Sequence, residues 1–196
     1  MSESIAGFIL AGGASRRMGT DKSRLELNGE TFTDRIAREI CKVAESVSLV
    51  GTHPGSQSNL KPIADVYPNW GALGGVHAAL AACSASWALV VACDFPLVSS
   101  ELFLYLSSLR EDHDAVAPIQ DDGIPQPLCA LYLVQPCLAL AEQMIKSGER
   151  KPIALLQSVR TCWVSFLELS TLRGANHFFE NINTPEDYAR VREKGL

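Results

Sequence analysis

Short apolar runs alternate with segments of helical spacing along this chain, and that alternation predicts an α/β fold with a mostly parallel central sheet. Two observations carry the prediction. Ile5–Leu10 and Trp87–Ala92 are continuously apolar, as strands buried on both faces must be. Between such runs, apolar residues recur every three or four positions, as at Ile36, Ile40 and Val43. No repeat, low-complexity tract or linker divides the 196 residues, so one domain over residues 1–196 is expected.

Taken in order, the first strand is Ile5–Leu10. Asn28-Gly29 then breaks an alternating run and signals a tight hairpin. From Thr33, the expected N-cap, a helix should run to about Glu45, with Arg35, Arg38, Glu39 and Lys42 on its exposed face. Residues 47–50 form a second strand. A polar loop over 52–60 precedes a third strand at 61–64, which ends at Asp65. The turn-rich stretch 67–75 leads into an alanine-rich helix over 76–83, and Trp87–Ala92 is the expected central strand. Ser99 or Ser100 can cap the next helix, through Leu109. Strands at 114–119 and 127–134 flank an acidic turn. A helix over 135–147 stops at Gly148, and a short helix within 149–160 precedes the strand Thr161–Val164. Thr184-Pro185-Glu186-Asp187 opens the last helix with a cap, a first-turn proline and acids suited to the helix dipole.

Hydrophobic residues make up 47% and charged residues 20%, a globular balance that excludes global disorder. The net charge of -5 offers no bulk attraction to nucleic acid or to an anionic membrane. Six cysteines sit mostly within apolar runs, and none forms a C-x-x-C pair, so a reduced, cytoplasmic setting is expected. The four histidines are scattered rather than clustered as zinc requires. No signal peptide or membrane span is expected.

Positive charge is instead local. The stretch from Leu10 to Lys22 combines Gly12-Gly13, Arg16-Arg17, Gly19 and Lys22 within one loop after the first strand. Glycines let the backbone turn its N–H groups onto an anion, and the guanidinium and ammonium groups add fixed charge, so polyphosphate is the ligand this loop suits. The P-loop pattern fails twice: Asp21 precedes Lys22-Ser23, and Arg16 stands where the earlier glycine belongs. The dinucleotide pattern G-x-G-x-x-G has no match.

In open parallel sheets, ligands bind beyond the carboxyl ends of the strands. The first strand ends at the glycine loop, the third at Asp65 and the central one at Asp94; if these strands are neighbours, one crevice receives all three. At Asp94 a magnesium ion would compensate a carboxylate that follows an apolar run. A turn or capping role is the alternative there, as it is for Asp65 before a proline-rich turn.

The stretch Leu10-Ala11-Gly12-Gly13-Ala14-Ser15-Arg16-Arg17-Met18-Gly19-Thr20-Asp21-Lys22 resembles the signature L-A-G-G-x-S-x-R-M-G-x-D-K of nucleotidyltransferases with a Rossmann-like core. Within that superfamily it looks most like the molybdenum cofactor guanylyltransferases. Cys93-Asp94-Phe95-Pro96 is similar to their C-D-x-P metal motif, and Gly71-Ala72-Leu73-Gly74-Gly75 to a G-P-L-x-G segment downstream of a nucleotide-contacting aspartate. Residues 126–132 resemble the strand bordering the acceptor, and residues 181–187 the C-terminal N-x-N-T-P-E-D segment.

The resemblance implies a three-layer fold of the nucleotide-diphospho-sugar transferase type, covering nearly the whole chain. It implies transfer of GMP from GTP to molybdenum-bound molybdopterin with Mg2+ as cofactor, and a transient cofactor-delivery protein as a further partner. It assigns Arg17, Lys22 and Asp94 to catalysis, Asp94 to the metal, Leu10, Ala11, Gly12, Lys22, Asp65 and Asp94 to GTP, and Asn181 and Asn183 to the acceptor. The chain departs from the pattern at Ala72, where proline is usual, and at Gly51, where the family has an asparagine. A cytidylyltransferase acting on the same pterin, for which L-A-A-G is usual, another small-molecule nucleotidyltransferase such as one acting on a sugar phosphate, and a non-catalytic GTP-sensing module are the competing expectations.

Overall fold

The computed structural model describes residues 3–11, 25–51, 59–182 and 184–193. Nine strands lie among them: β1 (Ile5–Leu10), β2 (Glu26–Leu27), β3 (Glu30–Thr31), β4 (Ser46–Val50), β5 (Lys61–Ile63), β6 (Trp87–Ala92), β7 (Ala115–Pro118), β8 (Cys129–Leu133) and β9 (Thr161–Val164). β2 and β3 form a separate antiparallel hairpin. Asn28 and Gly29 turn it with φ of 54° and 80°, the pair of positive values a two-residue type I′ turn needs.

The other seven strands make one sheet in the order β5-β4-β1-β6-β8-β7-β9. β5, β4, β1 and β6 are mutually parallel, and only β8 runs against its neighbours. The expected mostly parallel sheet is therefore present. The condition for one shared crevice is met for the first and central strands but not for the first and third, because β4 lies between β1 and β5. Their carboxyl ends still share one edge.

Helices cover both faces: α1 (Phe32–Ile40), α2 (Ala72–Ala82), α3 (Ser100–Ser108), α4 (Val134–Lys146), α5 (Pro152–Ser158), α6 (Phe166–Leu169) and α7 (Pro185–Glu193). Alternate residues of the strands face opposite layers. Ile5, Ile9, Leu89 and Val91 pack with Ile36 and Ile40 of α1 and Leu102, Phe103 and Leu106 of α3. Ala6, Phe8, Ala88 and Val90 pack with Leu73, Val76 and Leu80 of α2 and Ala141 and Ile145 of α4. Three layers result. Among the described residues no helix is long and apolar enough to cross a membrane.

Several boundaries differ from those the sequence predicts. α1 is capped by Thr31, whose side chain accepts from the Asp34 N–H at 3.1 Å, so Thr33 is buried inside the helix rather than capping it. α1 also ends at Ile40 rather than near Glu45. α2 begins four residues before the expected 76, because Gly71 adopts φ 75°, ψ −153°, a conformation essentially reserved for glycine. Ser99 caps α3, its hydroxyl accepting from the Leu102 N–H at 3.3 Å. Thr184 opens α7 as expected, its hydroxyl accepting from the Asp187 N–H while the Asp187 carboxylate accepts from the Thr184 N–H. Sequence reading missed α6, although Ser165-x-x-Glu168 is a capping box and both of its hydrogen bonds form.

Candidate functional site

The carboxyl edge of the parallel strands is bound together by hydrogen bonds that continue past the strands themselves. The Ala11 N–H donates to the Val50 carbonyl at 2.9 Å, and the Gly51 N–H to the Ile63 carbonyl at 3.1 Å. On the other side of β1, the Cys93 N–H donates to the Leu10 carbonyl at 3.1 Å. The carboxyl ends of β5, β4, β1 and β6 are thereby tied each to the next. β1 and β6 pair up to Leu10 and Ala92, so Ala11 and Asp94 leave the sheet from adjacent strands.

Small residues bring α2 onto this edge. A Cβ at Gly75 would sit 3.3 Å from Leu10 Cδ1, and one at Gly74 would sit 2.9 Å from Trp70 Cβ. No side chain caps the start of α2. Its Leu73 N–H donates instead to the Arg150 carbonyl at 3.4 Å, which ties the α4–α5 connection to the turn before α2. The Arg150 guanidinium lies 4.6 Å from the Trp70 ring centroid, and Trp70 Nε1 donates to the Glu149 carbonyl at 2.7 Å. Asp65, half-buried, follows β5 on the approach to this turn.

Asp94 is half-buried, and its Oδ1 is closed off from solvent. Its own carbonyl accepts from the Ile182 N–H at 3.2 Å, which draws the C-terminal segment to β6 and sets the exposed Asn181 next to the Asp94 backbone. Gln126, a polar residue only 8% exposed, precedes β8 at the same edge; its N–H donates to the Pro118 carbonyl at 2.9 Å, and Leu128 accepts from the Ala92 N–H at 2.8 Å. The structure thus brings Leu10, Ala11, Asp94 and Asn181 to one region and sets Asp65 two strands from β1. Gly12, Arg17, Lys22 and Asn183 lie outside the described residues.

The donor set constrains any cation. Among the described residues, no group of three or more histidine, cysteine, aspartate or glutamate side chains could hold a metal. Among those residues a cation caged by protein side chains does not fit. A hard cation held by one carboxylate, with phosphate oxygens and water completing its shell, does. Burial pushes the Cys129 and Cys137 thiols up to about 12, far from the thiolate a metal would need.

The sequence profile of the MobA-like NTP transferase domain matches residues 7–162. A probable molybdenum cofactor guanylyltransferase of Pelotomaculum thermopropionicum is 35% identical over 95% of this chain and 91% of its own length. The chain belongs to the MobA-like NTP transferase family. The family match runs from β1 through β9 and so includes all seven strands of the main sheet apart from the outermost residues of β1 and β9. Among solved structures, molybdopterin-guanine dinucleotide biosynthesis protein A of Archaeoglobus fulgidus superimposes with a TM-score of 0.81 at 26% identity, covering 96% of this chain and 97% of that one. The 2-C-methyl-D-erythritol 4-phosphate cytidylyltransferase of Thermus thermophilus shares the fold alone, with a TM-score of 0.70 at 16% identity over 100% and 99% of the two chains. The MobA-like fold thus matches the three-layer nucleotidyltransferase architecture that the sequence predicts.

Proposed function

We propose that this MobA-like chain transfers GMP from GTP to molybdenum-bound molybdopterin, releasing pyrophosphate and forming the guanine dinucleotide cofactor. The observation that carries the reading is its 35% identity, over 95% of the chain, to a probable molybdenum cofactor guanylyltransferase. The edge described above supports it, because the glycine-motif strand and the Asp94 strand are neighbours there.

In this reading the acceptor's terminal phosphate oxygen attacks the α-phosphorus of GTP in line. A new P–O bond forms to the acceptor, the bond between the α-phosphorus and the bridging oxygen breaks, and pyrophosphate leaves with that electron pair. The chain's part is positioning and charge. Backbone groups from Leu10 through Ala11 to Gly12, together with Asp65, hold the nucleotide; Arg17 and Lys22 neutralise phosphate charge; Asn181 and Asn183 orient the acceptor. Asp94 would hold Mg2+, which when bound neutralises charge on the transferring phosphate and its leaving group. GTP binding, magnesium dependence and a cytoplasmic setting all belong to this proposal.

The test offers GTP, CTP, ATP and UTP in parallel, with magnesium and loaded molybdopterin, and measures pyrophosphate release. Turnover selective for GTP is expected. Selective CTP turnover would overturn the base assignment, and absence of turnover with a verified acceptor would favour a module that only binds GTP. Asp94→Ala is expected to abolish pyrophosphate release.

A further inference from the structure

Arg35 and Glu39 lie one turn apart on α1, where the helical pattern puts them on a solvent-facing side. Both are half-buried instead. Arg35 Nε donates to the Pro96 carbonyl at 3.0 Å, and Glu39 Oε2 accepts from the Ser100 N–H at 3.0 Å. Pro96 and Ser100 belong to the segment that leaves β6 through Asp94 and enters α3. Two residues of α1 therefore grip the chain just beyond the candidate metal carboxylate.

The Phe95 and Val98 side chains anchor the segment in the core cluster that α1 shares, but its backbone is loosely tied within itself. Its internal hydrogen bonds are long, 3.3 Å from the Phe95 N–H to the Ala92 carbonyl and 3.4 Å from the Val98 N–H to the Phe95 carbonyl. Pro96 itself has no N–H to contribute. A charge-assisted bond from a guanidinium is stronger than either of these neutral ones. Glu39 is held ready in turn: Lys42 Nζ lies 3.1 and 2.9 Å from its two oxygens. Burial pushes the Glu39 carboxyl up, but the Lys42 and Ser100 hydrogen bonds outweigh it and keep the group below the usual carboxylate value. An ionised carboxylate at the first N–H groups of α3 also matches that helix's dipole.

We propose that Arg35, supported by Glu39, is a positioning residue for Asp94: it fixes the backbone two residues beyond that carboxylate, so that cation binding there depends on α1. The proposal rests on the assignment of Asp94 to the metal. Arg35 touches neither substrate nor cation in it; its work is done through the Pro96 carbonyl.

The experiment titrates Mn2+ as a paramagnetic probe into the full chain with GTP present, and measures GTP binding separately without metal. Arg35→Met keeps the apolar stem and removes the donor, Arg35→Lys restores a donor, and Asp94→Ala removes the carboxylate. Arg35→Met is expected to weaken Mn2+ binding by about 10-fold or more, the usual effect of losing a group that orients a ligand, and to leave metal-free GTP binding unchanged. Arg35→Lys should recover part of the loss. Thermal unfolding of each variant confirms that it is folded, and Glu39→Gln, expected to weaken Mn2+ less than Arg35→Met, carries the same comparison should the methionine variant not fold. Mn2+ binding to Arg35→Met at the wild-type affinity would overturn the proposal, as would an equal loss of metal-free GTP binding. If Asp94→Ala binds Mn2+ as wild type does, the assignment of Asp94 fails instead.

Discussion

The resemblance puts the family's asparagine at about Gly51, and the backbone there accommodates either residue. Its φ of 76° lies in the left-handed region, where most side chains are strained, yet Asn28 and Asn69 adopt φ of 54° and 63° in this same chain. Asparagine is thus compatible with the position and alanine is poorly so. Gly51→Ala is expected to cost about 1–2 kcal/mol, lowering Tm by roughly 2–8 °C, while Gly51→Asn costs less. Because the Gly51 N–H is tied to the Ile63 carbonyl, the new side chain would start from a fixed point between the ends of β1 and β5. One additional net hydrogen bond of about 1 kcal/mol would tighten GTP about fivefold. Calorimetric titration of the two variants checks this, and a Gly51→Asn protein that binds GTP no better than wild type would place the nucleotide away from this strand end.

Elements were legible wherever burial alone decides them. β1 and β6 have the bounds that their apolar runs predict, because a strand enclosed on both faces needs no alternation. The start of α2 was not legible, since it depends on a glycine conformation that only the turn around Trp70 and Arg150 selects. The half-burial of Arg35 and Glu39 was hidden for a similar reason: helical periodicity marks one face as polar but says nothing of a loop 61 residues away that covers it. At the sheet's far edge, Asp114 joins three strands. Its carboxylate accepts from the Arg160 N–H, Nε and Nη2 at 3.1, 3.1 and 3.0 Å, and its carbonyl accepts from the Leu133 N–H at 2.8 Å. The Arg160 side-chain hydrogen bonds hold the Asp114 carboxyl below its usual 3.8, although burial opposes them. A carboxyl depressed in the folded state stabilises above its unfolded value and loses that contribution as pH falls through the folded one. Arg160 is largely exposed, so screening keeps the effect small. Asp114→Asn is expected to cost about 0.5–1 kcal/mol at neutral pH, with the gap to wild type closing as pH falls below about 4. Denaturant unfolding at several pH values measures it, and a gap that persists well into acid would show that packing, not charge, is lost.

On the scale of the whole molecule, the site is an edge assembled from distant parts of the chain, and strand order was what sequence could not supply. Asp65, Asp94 and the glycine motif could be marked one by one. That β4 separates β5 from β1 while β6 adjoins it is a tertiary fact. The C-terminal segment completes the edge. Ile182 is fully buried with Leu27, Phe32 and Val191, and the Tyr188 hydroxyl donates to the Glu26 carbonyl, so α7 docks on the β2–β3 hairpin. The same Ile182 donates its N–H to the Asp94 carbonyl. Packing in this small cluster therefore sets where Asn181 stands relative to the strand ends. Ile182→Ala leaves the backbone bond possible but opens a cavity, at an expected cost of about 2–5 kcal/mol and roughly 4–20 °C in Tm. If Asn181 serves the acceptor, loosening its neighbour should raise KM for loaded molybdopterin more than KM for GTP. Initial rates with each substrate varied in turn, at a temperature where the variant remains folded, separate the two. An equal rise in both would mean that the segment supports the edge as a whole rather than the acceptor side of it.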